Sequence, residues 1–273
     1  MLHNFTMQPT LSRLHIFPIK SCAPLTPDMA PVEKRGLQFD RRWLIVDADG
    51  QFLTGRQLPR LTLVRAQPDA LGLDLDAPGM NRCRIRVPSA DAPRRLVQVW
   101  KNSINAVCAD GLADAWISAY LGREAHLVYM DSDAHRAVDP DYATDGDEVS
   151  FADAFPLLLI SSSALDQLNA RMASPVPMLR FRPNLVVSGT APHAEDDWRR
   201  VRIGGVEFDV VKACTRCVFT TVDFERGALD PSGEPLRTLI TYRRTPSGVT
   251  FGQNLIARGS GILRIGDAVT VLD

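Results

Sequence analysis

Val201-Arg202-Ile203-Gly204-Gly205-Val206-Glu207-Phe208-Asp209-Val210-Val211 places apolar side chains at alternate positions on both sides of a Gly-Gly pair. Period-two alternation marks a half-buried strand, and paired glycines supply the positive φ that a two-residue hairpin turn demands. The segment therefore predicts a β-hairpin, and the same grammar recurs outward from it. Downstream, residues 218–222 read as a strand, Glu234-Pro235-Leu236 opens a short helix, and residues 261–269 alternate and turn like a hairpin closing a barrel. Upstream, residues 185–187 and the apolar run 155–160 read as strands. A helix between them is capped by Ser162 or Ser163 and carries Leu165, Leu168 and Met172 on one face.

The first third is also rich in strand signals. Leu14, Ile16 and Pro18 alternate, and residues 43–46 meet a turn at Asp47-Ala48-Asp49-Gly50 before Gln51-Phe52-Leu53. Short strands are expected at 61–65, 83–87, 96–100 and 105–108, close enough together for an antiparallel barrel or sandwich. A helix fits 112–121, capped by Asp110, striped by Leu112, Trp116, Ile117 and Tyr120, and stopped by Gly122. The polar stretch 131–148 reads as a surface loop after a boundary near 123–135. The expected fold class is α+β, mainly β, in two domains.

Thirty-one Lys and Arg against 32 Asp and Glu leave a charge of −1, which argues against a nucleic-acid partner. The 1–17 segment has no continuous apolar core, and no window approaches the ~18 apolar residues of a membrane span. Five scattered cysteines are too few for a secreted disulfide scaffold of this size, so a cytoplasmic location is expected.

Cys214-Thr215-Arg216-Cys217 stands out chemically. A C-x-x-C pair serves as half a zinc site, as a redox dithiol, or as one thiolate on a soft metal with an incidental neighbour. Spacing leaves these open, beside the plainer reading of two structural cysteines. The five histidines, His3, His15, His126, His135 and His193, show no ligand spacing. Around the turns sit Lys20 with Ser21, Arg41, Arg56, and Arg180 with Arg182 and Asn184, the residue types a phosphate group requires. Asp153 lies among apolar residues just ahead of the 155–160 strand, as a capping or pocket-facing carboxylate.

Taken together, four blocks resemble the MOSC family, most closely its amidoxime-reducing components and bacterial YcbX-type proteins. They are Phe17-Pro18-Ile19-Lys20-Ser21-Cys22; Asp40-Arg41-Arg42-Trp43 with Thr54-Gly55-Arg56-Gln57; Phe181-Arg182-Pro183-Asn184; and Lys212-Ala213-Cys214-Thr215-Arg216-Cys217. The resemblance implies a MOSC N-terminal β domain at 8–125 packed on a MOSC β-barrel domain at 130–272, with a molybdenum–molybdopterin cofactor between them. It implies Cys217 as the metal's thiolate ligand, and Lys20, Ser21, Arg41, Arg56, Asp153, Arg182, Asn184, Thr215 and Arg216 as cofactor-binding residues. Asp153 falls near the metal and is the expected proton source, a buried carboxylate with raised pKa. The implied chemistry is reduction of N-hydroxylated compounds. YcbX-type relatives carry a C-terminal ferredoxin-like domain, whereas this chain stops at Asp273. A separate donor protein of iron–sulfur, flavin or haem type is therefore expected. The alternative reading is a cofactor or sulfur carrier without reductase activity.

Overall fold

The computed structural model describes residues 8–273; His3 and the start of the 1–17 segment lie outside them. The hairpin at its centre forms as the alternation requires. Arg200–Ile203 pairs antiparallel with Val206–Thr215, with Val201 opposite Phe208 and Gly204 at φ 54° in the turn. Val201, Ile203 and Phe208 are fully buried while Arg202 faces solvent.

This hairpin belongs to an eight-stranded sheet. Its order is Thr10–Leu14, Leu185–Ser188, Leu157–Ser161, Gly248–Ala257, Val206–Thr215, Arg200–Ile203 and Val269–Val271, with Arg244–Thr245 beside Gly248–Ala257. The ends meet through a bridge between Thr10 and Ala268, and the Val269 N–H donates to Pro9 O at 2.8 Å, which nearly closes a barrel. Leu11, Leu159, Leu185, Phe208, Leu255 and Leu263 are among the side chains filling its core.

The other half holds the sheet Trp43–Val46, His126–Tyr129, Asn102–Cys108, Arg94–Val99 and the sheet Arg65–Asp69, Gly72–Asp76, Cys83–Arg86. The helix Gly111–Leu121 covers them. Asp110 caps it by accepting from Ala113 N, and Gly122 ends it in the left-handed conformation. Strand pairing crosses the expected division at its start. Thr10–Leu14 joins the barrel, and Met29–Glu33 pairs with Gly261–Arg264.

Several local expectations are corrected. Residues 218–222 are a 3-10 turn, Val218–Thr221, with strand only at Val222–Asp223. Thr220 and Thr221 hydroxyls donate to Cys217 O and Val218 O at 2.9 and 2.8 Å, local bonds that compete with a ladder. Pro59–Leu63 is likewise a 3-10 turn begun by proline, and the strand starts only at Arg65. Gly261–Arg264 and Val269–Val271 do not pair with each other; each joins a different neighbour. Ser161 caps the helix Ser162–Asn169, which ends before Met172, and Leu112 is exposed.

The 131–148 stretch is more than a surface loop. Arg35 donates to Asp131 O, Ala134 O and Glu148, Arg258 clasps Asp147, and Arg136 turns into the core. Among the described residues, no helix is long and apolar enough to cross a membrane.

Candidate functional site

Two connections bring the expected residues together. The first is the loop that leaves residues 16–19. Ile19 bridges Trp43, and the Lys20 N–H donates to Trp43 O at 3.0 Å, fixing where the chain turns. Ser21 follows at φ 69°, a conformation costly for a side-chain-bearing residue. The Lys20 ammonium, 8 % exposed, is directed at Phe151 O, 2.8 Å away, and Asp153 Oδ1, 2.6 Å away. Burial lowers the Lys20 pKa to about 8, with the Asp153 charge resisting further loss.

This pairing corrects the role expected of Asp153. Its side chain is 77 % exposed on the floor of a concavity, with protein around it but not over it. The surrounding protein favours the neutral acid. The Lys20 charge and hydrogen bond outweigh that, helped by Arg41 and the Trp100 Nε1–H, and hold the carboxyl well below its usual range. A carboxylate that stays ionised is a poor reservoir of protons.

The second connection is a pair of arginines. The Arg41 guanidinium donates to Asp40 Oδ2 at 2.6 Å and to Asn184 Oδ1 at 2.9 Å. Arg182 donates to Cys22 O at 2.8 Å, and both guanidiniums lie over the Phe17 ring, 4.4 and 4.0 Å from its centre. Burial, and then Arg41, bring the Arg182 pKa down to about 9. Arg182 Nη2 is buried and has no hydrogen-bond partner among the described residues. An unpaired buried guanidinium nitrogen is expensive, and an anion would satisfy it. Arg41 and Arg182 also adopt left-handed φ of 48° and 55°. Backbone strain gathered at one place points to use.

Asn184 behaves differently from expectation. It is fully buried, its Oδ1 accepts from Arg41 and from Leu158 N, and its Nδ2 donates to His15 O. It is an internal strut that aims Arg41 and presents nothing to a ligand.

The long strand Val206–Thr215 delivers the cysteine motif. Arg216 is locked by three hydrogen bonds, to Phe251 O at 2.9 and 2.7 Å and to Phe181 O at 3.0 Å. Its guanidinium is therefore a spacer that shapes the turn. Thr215 and Cys217 emerge exposed, whereas Cys214 is half-buried and burial raises its thiol pKa. Phe219 follows and lies so close to Gly55 that a side chain there would enter its ring. Phe219 also covers Arg182, 5.5 Å away. The Thr54-Gly55-Arg56 turn is thus pressed onto the Cys217 turn, and Arg56 itself stacks 4.5 Å from the Trp100 ring centre.

Lys20, Arg41 and Arg182 are thus gathered about the Asp153 carboxylate, with Ser21 in the adjoining turn and the Cys217 turn linked to them through Phe219, which covers Arg182. Sequence reasoning missed Trp100 and Arg136. Arg136 donates to Ser150 O, Ala152 O and Asp153 O and so holds the loop that bears Asp153. No local signal marks it, since an arginine in a polar stretch ordinarily faces solvent. Two clefts, of about 340 Å³ near Leu25 and Phe39 and about 410 Å³ near Tyr242 and Arg243, contain none of these residues.

Among the described residues, no three His, Cys, Asp or Glu side chains lie close enough to hold a metal ion. A metal at Cys217 would have to arrive with its other ligands on an organic group. An accessible thiol in the turn whose Phe219 covers an unpaired buried guanidinium fits such a group if it carries an anionic tail.

Comparison with known proteins agrees with the architecture. Residues 8–124 match the MOSC N-terminal beta barrel domain and residues 146–270 match the MOSC domain. Mitochondrial amidoxime-reducing component 1 of Mus musculus is 35 % identical over 96 % of this chain and 82 % of its own. The Xenopus laevis protein of that name is 34 % identical over 95 % and 81 %. A molybdenum cofactor sulfurase of Oryza sativa subsp. japonica is 31 % identical over 89 % of this chain but only 32 % of its own length. Matching both domain models and these relatives along nearly its whole length, the chain belongs to the MOSC family.

Proposed function

We propose that the protein is a molybdenum-cofactor-dependent reductase of N-hydroxylated compounds (amidoximes, hydroxylamines and N-hydroxylated nucleobases), supplied with electrons by a separate donor protein. The observation that carries this reading is the exposed Cys217 thiol two residues before Phe219, whose ring covers the buried Arg182 guanidinium with its unpaired nitrogen. The amidoxime-reducing relatives support it.

In this reading Cys217 donates its thiolate to the metal, and Arg182, Arg41 and Lys20 hold the cofactor's phosphate and pterin, with the Ser21 turn alongside. Bound there, the cofactor supplies the two-electron redox step. The net change is cleavage of the N–O bond by two electrons and two protons, giving the N–H compound and water. The ionised Asp153 receives no proton at rest; it orients donors at the mouth, while solvent reaching the open concavity supplies the protons. The free cysteines suit a reducing compartment such as the cytoplasm.

The sulfurase relative favours a second reading, a carrier module that holds the cofactor without turnover. A redox dithiol is less favoured because the Cys214 thiol is half-buried and directed at Thr215 O, 3.8 Å away, rather than at Cys217. The test is molybdenum content of wild type and Cys217→Ala from cofactor-producing cells, with turnover of benzamidoxime by a reduced viologen dye. Metal in wild type only, with turnover, supports the reductase. Metal without turnover selects the carrier, and a metal-free wild type refutes both.

A further inference from the structure

The turn that bonds Asp153 from the side carries an arrangement that the cofactor-holding residues named above leave unused. Trp100 sits in the turn between Arg94–Val99 and Asn102–Cys108, at φ 55° and 44 % exposed. Such turns favour Asn or Gly. A bulky indole there is strained and exposes apolar surface, a combination that points to a ligand. Two contacts fix the ring. Phe52 packs edge-on at 5.2 Å between centres, and the indole Nε1–H donates to Asp153 Oδ1 at 3.3 Å.

Asp153 is half used. Lys20 and Trp100 both donate to Oδ1, and among the described residues Oδ2 accepts no hydrogen bond. The Arg56 guanidinium lies on the indole at 4.5 Å and makes no hydrogen bond or ion pair among the described residues. A flat cation thus already rests on this ring, held by its π face alone.

We propose that Trp100 and Asp153 form a subsite for a flat amidine-type cation, and that Arg56 occupies the place that such a ligand takes. The class of ligand rests on the reading above, because reduction of an amidoxime yields an amidine, a planar cation at neutral pH. One of its N–H groups can donate to the free carboxylate oxygen while its plane lies on the indole. Lys20 keeps Oδ1 throughout.

Calorimetric titration of the purified full chain with benzamidine, and with its neutral isostere benzamide, tests this without turnover. Wild type is expected to prefer benzamidine by about 10-fold, the scale of one charge-assisted contact. Asp153→Asn should abolish the preference, and Trp100→Ala should weaken benzamidine by about 5-fold, the scale of one cation–π contact. Arg56→Ala should tighten benzamidine several-fold by removing the internal competitor. Equal binding of both ligands by wild type, binding of neither, or weaker binding in Arg56→Ala overturns the proposal. If Asp153→Asn fails to fold by circular dichroism, Trp100→Ala, at an exposed turn, decides. The expected binding pattern in a chain that reduces no amidoxime keeps the subsite and removes the reductase reading. Turnover of benzamidoxime whose inhibition by benzamidine ignores Asp153→Asn and Trp100→Ala does the reverse.

Discussion

Replacing Arg136 with methionine should loosen the loop that carries Asp153 and cost measurable stability. Arg136 is 5 % exposed, and its guanidinium donates to Asn102 Oδ1 at 3.0 Å, Ser150 O at 3.1 Å, Ala152 O at 2.5 Å and Asp153 O at 2.6 Å. Ser150, Phe151 and Ala152 are buried, so water reaches the abandoned carbonyls poorly. Each buried acceptor left unpaired costs about 1–3 kcal/mol, which puts the loss from the Ser150 and Ala152 carbonyls at roughly 4 kcal/mol, while the exposed Asp153 can turn its carbonyl to water. Part of this is returned, because the arginine is itself held at a penalty. Burial lowers its pKa from 12.5 to about 10. That shift is worth roughly 3 kcal/mol at about 1.4 kcal/mol per pKa unit, so methionine, which needs no solvation, leaves a net loss near 1 kcal/mol. The assay is urea unfolding followed by circular dichroism, with limited thermolysin digestion to locate cleavage. The expected result is a lower midpoint at unchanged slope, with faster cutting near residues 150–154. A midpoint within error of wild type, or cleavage moved elsewhere, would refute the account of Arg136 as the clamp.

Two further outcomes follow from the same structure. Glu148 accepts from Arg35, Lys34 and His135; burial opposes its ionisation, but these partners prevail and bring its pKa down from 4.5 to about 2. Its contribution, about 2–3 kcal/mol, is therefore fully present above pH 4.5 and fades as pH falls toward 2; Glu148→Gln should flatten the acid limb of stability against pH. Gly55→Ala should push Phe219 off the turn beside Cys217, costing about 1–3 kcal/mol. It should also raise the reactivity of Cys217 toward a thiol reagent, and unchanged labelling would show that the contact does not hold the turn.

The sequence by itself determined the elements whose signals are local. The 201–211 hairpin follows from alternation and a Gly-Gly turn, and the 111–121 helix from an Asp cap and a terminal glycine, because each needs only neighbours in the chain. The site residues were legible through family motifs, since Lys20, Arg41 and Arg182 lie in recognisable blocks far apart along the chain. What those residues do was decided in three dimensions. Asp153 reads as a buried acid until Lys20, 133 residues away, fixes its charge. Asn184 reads as a ligand-binding group until Arg41 and His15 consume its polar atoms. Arg136 reads as solvated until three loop carbonyls surround it. The physical reason is common to all three. Secondary structure answers to short-range backbone and side-chain bonding, whereas the protonation and direction of a polar group answer to whatever charge the fold brings within hydrogen-bond reach.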